Sequence, residues 1–206
     1  MSTRCTLVVP DAGPLNSLWV ADRLDLLLAL EMPVVVIDAV YDEATSEPLR
    51  FKKDREIKAL IDARLGREIV VESTFVGRQA RLARTRGDFV PGGGVGDAAI
   101  AEFMNSGVKR YLGEGEAFVL LFEDADFRNI HFVRQPDNLH LLSTVAILRG
   151  LEEVGVLASA EAVLAAMLAP ADPERQRYAR RFNDLADGTD IPAPSDSTWK
   201  RERMPP

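Results

Sequence analysis

Thiols and imidazoles are nearly missing from this chain: one cysteine, Cys5, and two histidines, His131 and His140, stand among 206 residues. A single thiol forms no internal disulfide and builds no multi-thiol zinc site. Lying just ahead of the apolar run TLVV, Cys5 reads as a small buried hydrophobe rather than a reactive group. Neither histidine sits in metal-ligand spacing, and no Ser-His-Asp or Cys-His order is suggested. Long apolar runs are lacking as well. None reaches the length of a membrane span, and the opening MSTRC has no signal-type apolar core, so the expected setting is the cytoplasm with no membrane partner. Basic residues are the minority: 25 against 32 acidic ones, a net charge of -7. That excludes a histone-like binder that grips nucleic acid by charge alone. It does not exclude a nucleic-acid enzyme, because a metal-dependent nuclease concentrates carboxylates at its centre. The glycine-rich stretch Pro91 to Gly96 lacks the Lys-Ser/Thr of a phosphate-binding P-loop and reads as a plain loop.

What is present is a regular alternation. Hydrophobic residues make up 47% of the chain, enough for a core that needs no staples. CTLVVP (Cys5 to Pro10) is a short apolar run closed by Asp-Ala-Gly-Pro, the pattern of a buried strand entering a turn. Leu15 to Leu30 has helical apolar spacing, and Val34 to Ile37 is a second strand leading into a helix at Asp38. Lys52 to Leu65 is a charged helix, Glu68 to Val71 a short strand, and Thr74 to Arg86 an arginine-rich helix. Another helix starts near Asp97, and AFVLLF (Ala117 to Phe122) is a strand ending in Glu123-Asp124. A short helix follows over Asp126 to Phe132, then a strand at Leu139 to Leu142. Ser143-Thr144 caps a helix, and Ala158 to Leu168 gives the last core helix. Strands alternating with helices predict an α/β fold, a three-layer α/β/α sandwich around a mainly parallel sheet. Composition shifts at Pro170, so residues 1–169 are expected to form the domain. Residues 170–206 are expected to form an exposed helix over Asp172 to Leu185, followed by a tail without fixed structure.

In parallel sheets, ligands bind beyond the carboxyl ends of the strands. Asp11 and Asp124 fall at strand exits, and Glu43 and Asp97 in the first turns of helices. Each alone has a plain explanation as a turn former, a cap or a solvated acid. Four together point to a site for a hard divalent cation, Mg²⁺ or Mn²⁺, which takes oxygen ligands and can polarise a phosphoryl group.

These same segments resemble the PIN-domain family. LVVPDAGPL is similar to the family's opening strand and aspartate, VVVIDAVYDEAT to its V-Y-x-E element, GDAAIAEF to its third acidic helix, and VLLFEDADF to its strand with paired acids. LLSTVAILRGLEEVGVL resembles the closing strand and threonine-capped helix. The likeness runs in order from about residue 5 to residue 168. It implies a metal-dependent ribonuclease of the toxin–antitoxin type, with Asp11, Glu43, Asp97 and Asp124 catalytic and Asp11, Asp97, Asp124 and Asp126 on the metal. It also implies RNA as substrate, an antitoxin protein as partner, and homodimer formation. GEGEAF supplies a second candidate for the third acid, Glu114 or Glu116, though the spacing favours Asp97; were that segment helical, Asp137 would become the fourth acid. The rival reading is a PIN-like module that binds a protein or RNA without turnover. Arg78, Arg81 and Arg84 share one helix face and form either a solvated surface or a stripe contacting RNA phosphates. Arg175, Arg177, Arg180 and Arg181 either meet an acidic partner or simply solubilise the tail.

Overall fold

The five short apolar runs form strands in the computed structural model, which describes residues 4–88, 94–123 and 138–180. They are β1 (Arg4–Pro10), β2 (Val34–Ile37), β3 (Ile69–Glu72), β4 (Glu116–Phe122) and β5 (Leu139–Ser143). Their order in the sheet is β3-β2-β1-β4-β5, and every neighbouring pair is parallel. All of β2 and Ala117 to Phe122 of β4 are buried. Strands covered on both faces have no solvent side, which is why they read as unbroken apolar runs.

Helices fill the connections: α1 (Ala12–Val20), α2 (Asp38–Ala44), α3 (Lys52–Arg64), α4 (Phe75–Arg86), α5 (Val95–Glu102), α6 (Thr144–Glu153), α7 (Ala160–Leu168) and the short α8 (Pro173–Gln176). Together they make the expected three-layer α/β/α sandwich. Its largest fully buried side chains include Trp19, Phe103, Phe118 and Phe122. Three helix starts are fixed by hydroxyls: Thr74 accepts from the Gly77 amide, Ser143 from Ala146 and Ser159 from Ala162. Among the described residues no helix is long and apolar enough to cross a membrane.

Two segments depart from expectation. The helix over Leu15 to Leu30 is really α1 followed by a 3₁₀ turn at Leu24–Leu28. The break falls at Asp22, whose φ of 58° is left-handed and whose carboxylate is held by Arg175 at 2.7 Å. Aspartate tolerates that conformation better than most residues. The helix over Asp172 to Leu185 shrinks, within the described residues, to the four residues of α8. Nor is the segment wholly exposed as expected, since Arg175 is buried, 7% exposed, and lies over the Trp19 ring. The helix expected at Asp126 to Phe132 and the tail from Thr189 lie outside the described residues.

The sheet order has one functional consequence. From β1 the chain moves to β2 on one side, while β4 lies on the other. Connections therefore diverge between β1 and β4, and in open parallel sheets the place beyond the carboxyl ends at such a switch point is where ligands bind. The Asp11 amide donates to the Leu121 carbonyl at 2.9 Å, so the exits of these two strands are laced together.

Candidate functional site

Asp11 is the first residue past β1 and the N-cap of α1, with extended backbone (φ -80°, ψ 173°). Pro14 in the first turn of α1 suits a helix start, where the missing N–H is not needed. Glu43 lies near the end of α2, the helix that follows β2 directly. Asp97 sits in the first turn of α5, which Gly94 introduces at φ 78°, a left-handed conformation that favours glycine. Helix α5 packs against α2. A Cβ on Gly96 would come within 3.3 Å of a Glu43 carboxylate oxygen, so a glycine there is what lets the two helices bring Glu43 beside Asp97.

The electrostatics register this convergence. Burial pushes the Asp11 carboxyl up to about 6; the charges of Asp97 and Glu43 add to the rise, and the backbone amides of Ala12 and Gly13 oppose it. Glu43 is also held above the usual carboxylate range, first by partial loss of hydration and then by Asp97, while Lys53 and Arg84 pull the other way. Among the described residues no cation closes a salt bridge with Asp11 or Glu43. Three carboxylates from three separate elements therefore share one field at the sheet's carboxyl edge. Among the described residues, however, no group of three or more His, Cys, Asp or Glu side chains is arranged to hold a metal ion. Asp124 and Asp126, the other two expected ligands, lie outside the described residues, as does Asp137.

Glu116 is the first residue of β4 and pairs with Arg4 at the start of β1. It therefore belongs to the amino edge of the sheet, opposite the site, and Glu114 precedes it in the same loop. Of the two candidates for the third acid, Asp97 is the one that lies with Asp11.

The acid that sequence reasoning passed over is Glu123. It follows β4 directly, and no motif in the sequence singles it out from its neighbour Asp124. Its carboxylate is 6% exposed and accepts from Ser17 Oγ and Thr144 Oγ1, each at 2.7 Å. Arg180 Nη2 lies 3.1 Å from it. Glu123 is thus hydrogen-bonded and ion-paired, whereas Asp11 has no salt bridge among the described residues. Lys53, on the other flank, donates to Asn16 Oδ1 at 3.0 Å and lies 3.4 Å from Asp54. No motif in the sequence marked Arg180 or Lys53 for these roles, because Ser17, Glu123 and Asn16 are far from them in the chain.

The arginines of α4 are unequal. Arg81 grips both carboxylate oxygens of Asp42, at 2.6 and 2.9 Å, and also donates to the Asp38 carbonyl. Arg84 is 3.5 Å from Asp42, and Arg78 contacts Ser73. Arg78, Arg84 and Arg86 are exposed. His140 lies on β5 with its Nε2 buried, consistent with a packing role, and His131 is outside the described residues. Burial pushes the Cys5 thiol up to about 11, so it is not an activated nucleophile.

Fold and site together define a doubly wound parallel α/β protein with coupled carboxylates at its switch point. Comparison with protein-family models, with curated proteins and with solved structures gave no match.

Proposed function

We propose that this protein is a Mg²⁺- or Mn²⁺-dependent nuclease that hydrolyses phosphodiester bonds, an endoribonuclease of toxin type. The observation that carries the reading is the mutual electrostatic coupling of Asp11, Glu43 and Asp97 at the edge of the sheet where ligands bind. The donor set is oxygen only, which suits a hard divalent cation. Asp11 and Asp97 are assigned to hold it, together with Asp124 and Asp126 on sequence grounds. The ion would supply Lewis-acid activation of the phosphoryl group. Glu43, at the exposed rim of α2, is assigned to orient the attacking water and take its proton. Arg78 and Arg84, exposed on α4, are assigned to phosphate contact, whereas Arg81 acts mainly as a strut between α4 and α2 through Asp42.

Replacement of Asp11 by Asn keeps the size and removes the charge. With Mn²⁺ and a mixed single-stranded RNA, the parent should cleave and the Asp11→Asn variant should not; equal cleavage by both sinks the assignment. A second reading, a module that binds RNA or protein without turnover, draws on the lack of a three-ligand group among the described residues. Millimolar Mn²⁺ should raise the melting temperature of a nuclease with a working site and leave that of a non-catalytic module unchanged.

A further inference from the structure

We infer that Arg180 is a positioning residue of this site: bridging the Gly13 carbonyl, Ser17 and Glu123, it fastens the segment that follows α8 across the exits of β1 and β4 and fixes the turn carrying Asp11. The inference rests on the nuclease reading for its catalytic consequence and on geometry alone for the fastening.

The geometry begins with how residue 180 arrives. After α7 the chain returns along α1 through a series of anchors. Lys52 meets Asp172 at 2.7 Å, and the Arg175 guanidinium lies 4.7 Å above the Trp19 ring while donating to the Trp19 carbonyl. Tyr178 meets Trp19 edge-on, with ring centroids 5.5 Å apart. The Arg180 amide then donates to the Met167 carbonyl at 2.9 Å, so its backbone is pinned to the end of α7 before its side chain leaves. That side chain reaches the opposite end of α1 from the one Arg175 holds. Its Nε donates to Ser17 Oγ at 2.7 Å, and its Nη2 meets the Gly13 carbonyl at 3.2 Å and a Glu123 oxygen at 3.1 Å.

Those three acceptors come from both sides of the switch point. Gly13 is two residues beyond Asp11, and a Cβ there would sit 3.0 Å from the Glu123 Cβ, so the Asp11 turn and the end of β4 are in close apposition. Ser17 Oγ accepts a hydrogen bond from Arg180 and donates its own to Glu123, completing a closed ring of polar contacts. Thr144 of α6 fills the other oxygen of Glu123. A buried carboxylate in that position costs a good deal unless it is paired and hydrogen-bonded, and Arg180 supplies the only cation paired with it among the described residues. Nε and Nη2 of the guanidinium are therefore taken up within the protein. The inferred effect on the reaction passes through the Asp11 turn, which these bonds hold, rather than through a bond to substrate.

The test compares Arg180→Met, Arg180→Lys and, as a control, Arg177→Met, whose residue is exposed and lies outside the ring. On RNA with Mn²⁺, Arg180→Met should lower kcat by about tenfold or more and leave KM within about twofold, as misplaced catalytic groups do. Arg180→Lys, which keeps one charged donor, should recover most of that loss, and Arg177→Met should match the parent. On the metal-free protein, without RNA, hydrogen exchange over 11–17 should speed up in Arg180→Met alone. A raised KM at constant kcat would mean a substrate contact and overturns the positioning role, as does an unchanged kcat. Unchanged exchange over 11–17 overturns the fastening itself. A parent that cleaves no RNA sinks the nuclease reading, and the exchange measurement still decides whether Arg180 holds this turn.

Discussion

Asp11→Asn should make the metal-free protein more stable while abolishing its activity. Burial and two acidic neighbours raise the Asp11 carboxyl from 3.8 to about 6. A carboxyl whose folded pKa lies above its unfolded one binds its proton more tightly when folded. Stability is then undiminished below pH 4, where both states are protonated. It falls as pH rises through the window from about 4 to 6, and it stays reduced above that. A rise of that size corresponds to about 3 kcal/mol at neutral pH, an upper figure for what removing the charge returns. Asparagine keeps the shape but offers one carbonyl oxygen to the Ala12 and Gly13 amides in place of a carboxylate, which takes back part of the gain. The net stabilisation should be about 1–2 kcal/mol at pH 7.5. Urea unfolding in EDTA at pH 7.5 and at pH 4.0 measures it directly. The difference between variant and parent should be large at the higher pH and close to zero at the lower. Adding Mn²⁺ at pH 7.5 should stabilise the parent and not the variant, closing or reversing the gap. A variant that is less stable than the parent at pH 7.5, by the same amount as at pH 4.0, would refute the claim that Asp11 is held charged against its environment.

Other perturbations separate the site from its scaffold. Gly96→Ala places a methyl 3.3 Å from a Glu43 oxygen but also improves helix propensity by up to about 1 kcal/mol. Stability by urea unfolding should therefore hold or rise, while RNA cleavage falls about tenfold. Gly77→Ala acts on structure alone: its Cβ would collide with the carboxylate of fully buried Asp38, which takes hydrogen bonds from Thr74 and the Ala39 amide. A loss of about 2–4 kcal/mol in urea unfolding is expected, and an undiminished midpoint would contradict the packing described. Glu102→Ala removes the carboxylate that accepts from the Phe75 and Val76 amides at 2.7 and 2.8 Å, an anion at the start of α4. It should cost about 1–2 kcal/mol and speed hydrogen exchange in the first turn of α4.

How much of the molecule is legible in its sequence follows from the range over which each interaction acts. Strands such as VVVI and AFVLLF announce themselves because burial on both faces demands apolar residues throughout. The exits that carry Asp11, and the start of α5 that carries Asp97, follow from where those runs stop. Strand order is a different matter. Nothing local in VVVI or LHLLS says that β1 lies between β2 and β4, and the switch point beside Asp11 exists only through that arrangement. Side-chain partnerships across long separations are hidden for the same reason. Arg175 and Arg180 look like solubilising charge when seen among PERQRYAR, yet their partners Asp22, Glu56, Ser17 and Glu123 are scattered over the earlier chain. Arg81 looks like one member of a phosphate stripe until Asp42, far before it in the chain, takes both prongs of its fork. Glu123 and Asp124 cannot be told apart by type or by neighbourhood in the sequence. What distinguishes Glu123 is that Ser17, Thr144 and Arg180 all converge on it.

That distinction runs through the whole molecule and bears on what the site is for. Asp42 has Arg81, Glu72 has Arg110 and Tyr111, Glu102 has two backbone amides, Asp54 has Lys53 and the Glu47 amide, and Glu123 has its ring. The chain carries fewer bases than acids, yet structural carboxylates are matched one after another. Asp11 and Glu43 are treated differently, since among the described residues neither is in a salt bridge, and Asp97 raises the proton affinity of both. Under the proposed nuclease function, a bound divalent cation would offset the raised proton affinity of these acids, having the right charge and ligand preference. Chelation should therefore leave the fold intact and the site strained. A gain in stability with Mn²⁺ in the parent, and no such gain in Asp11→Asn, is the signature that separates a working metal centre from acids that merely happen to be near one another.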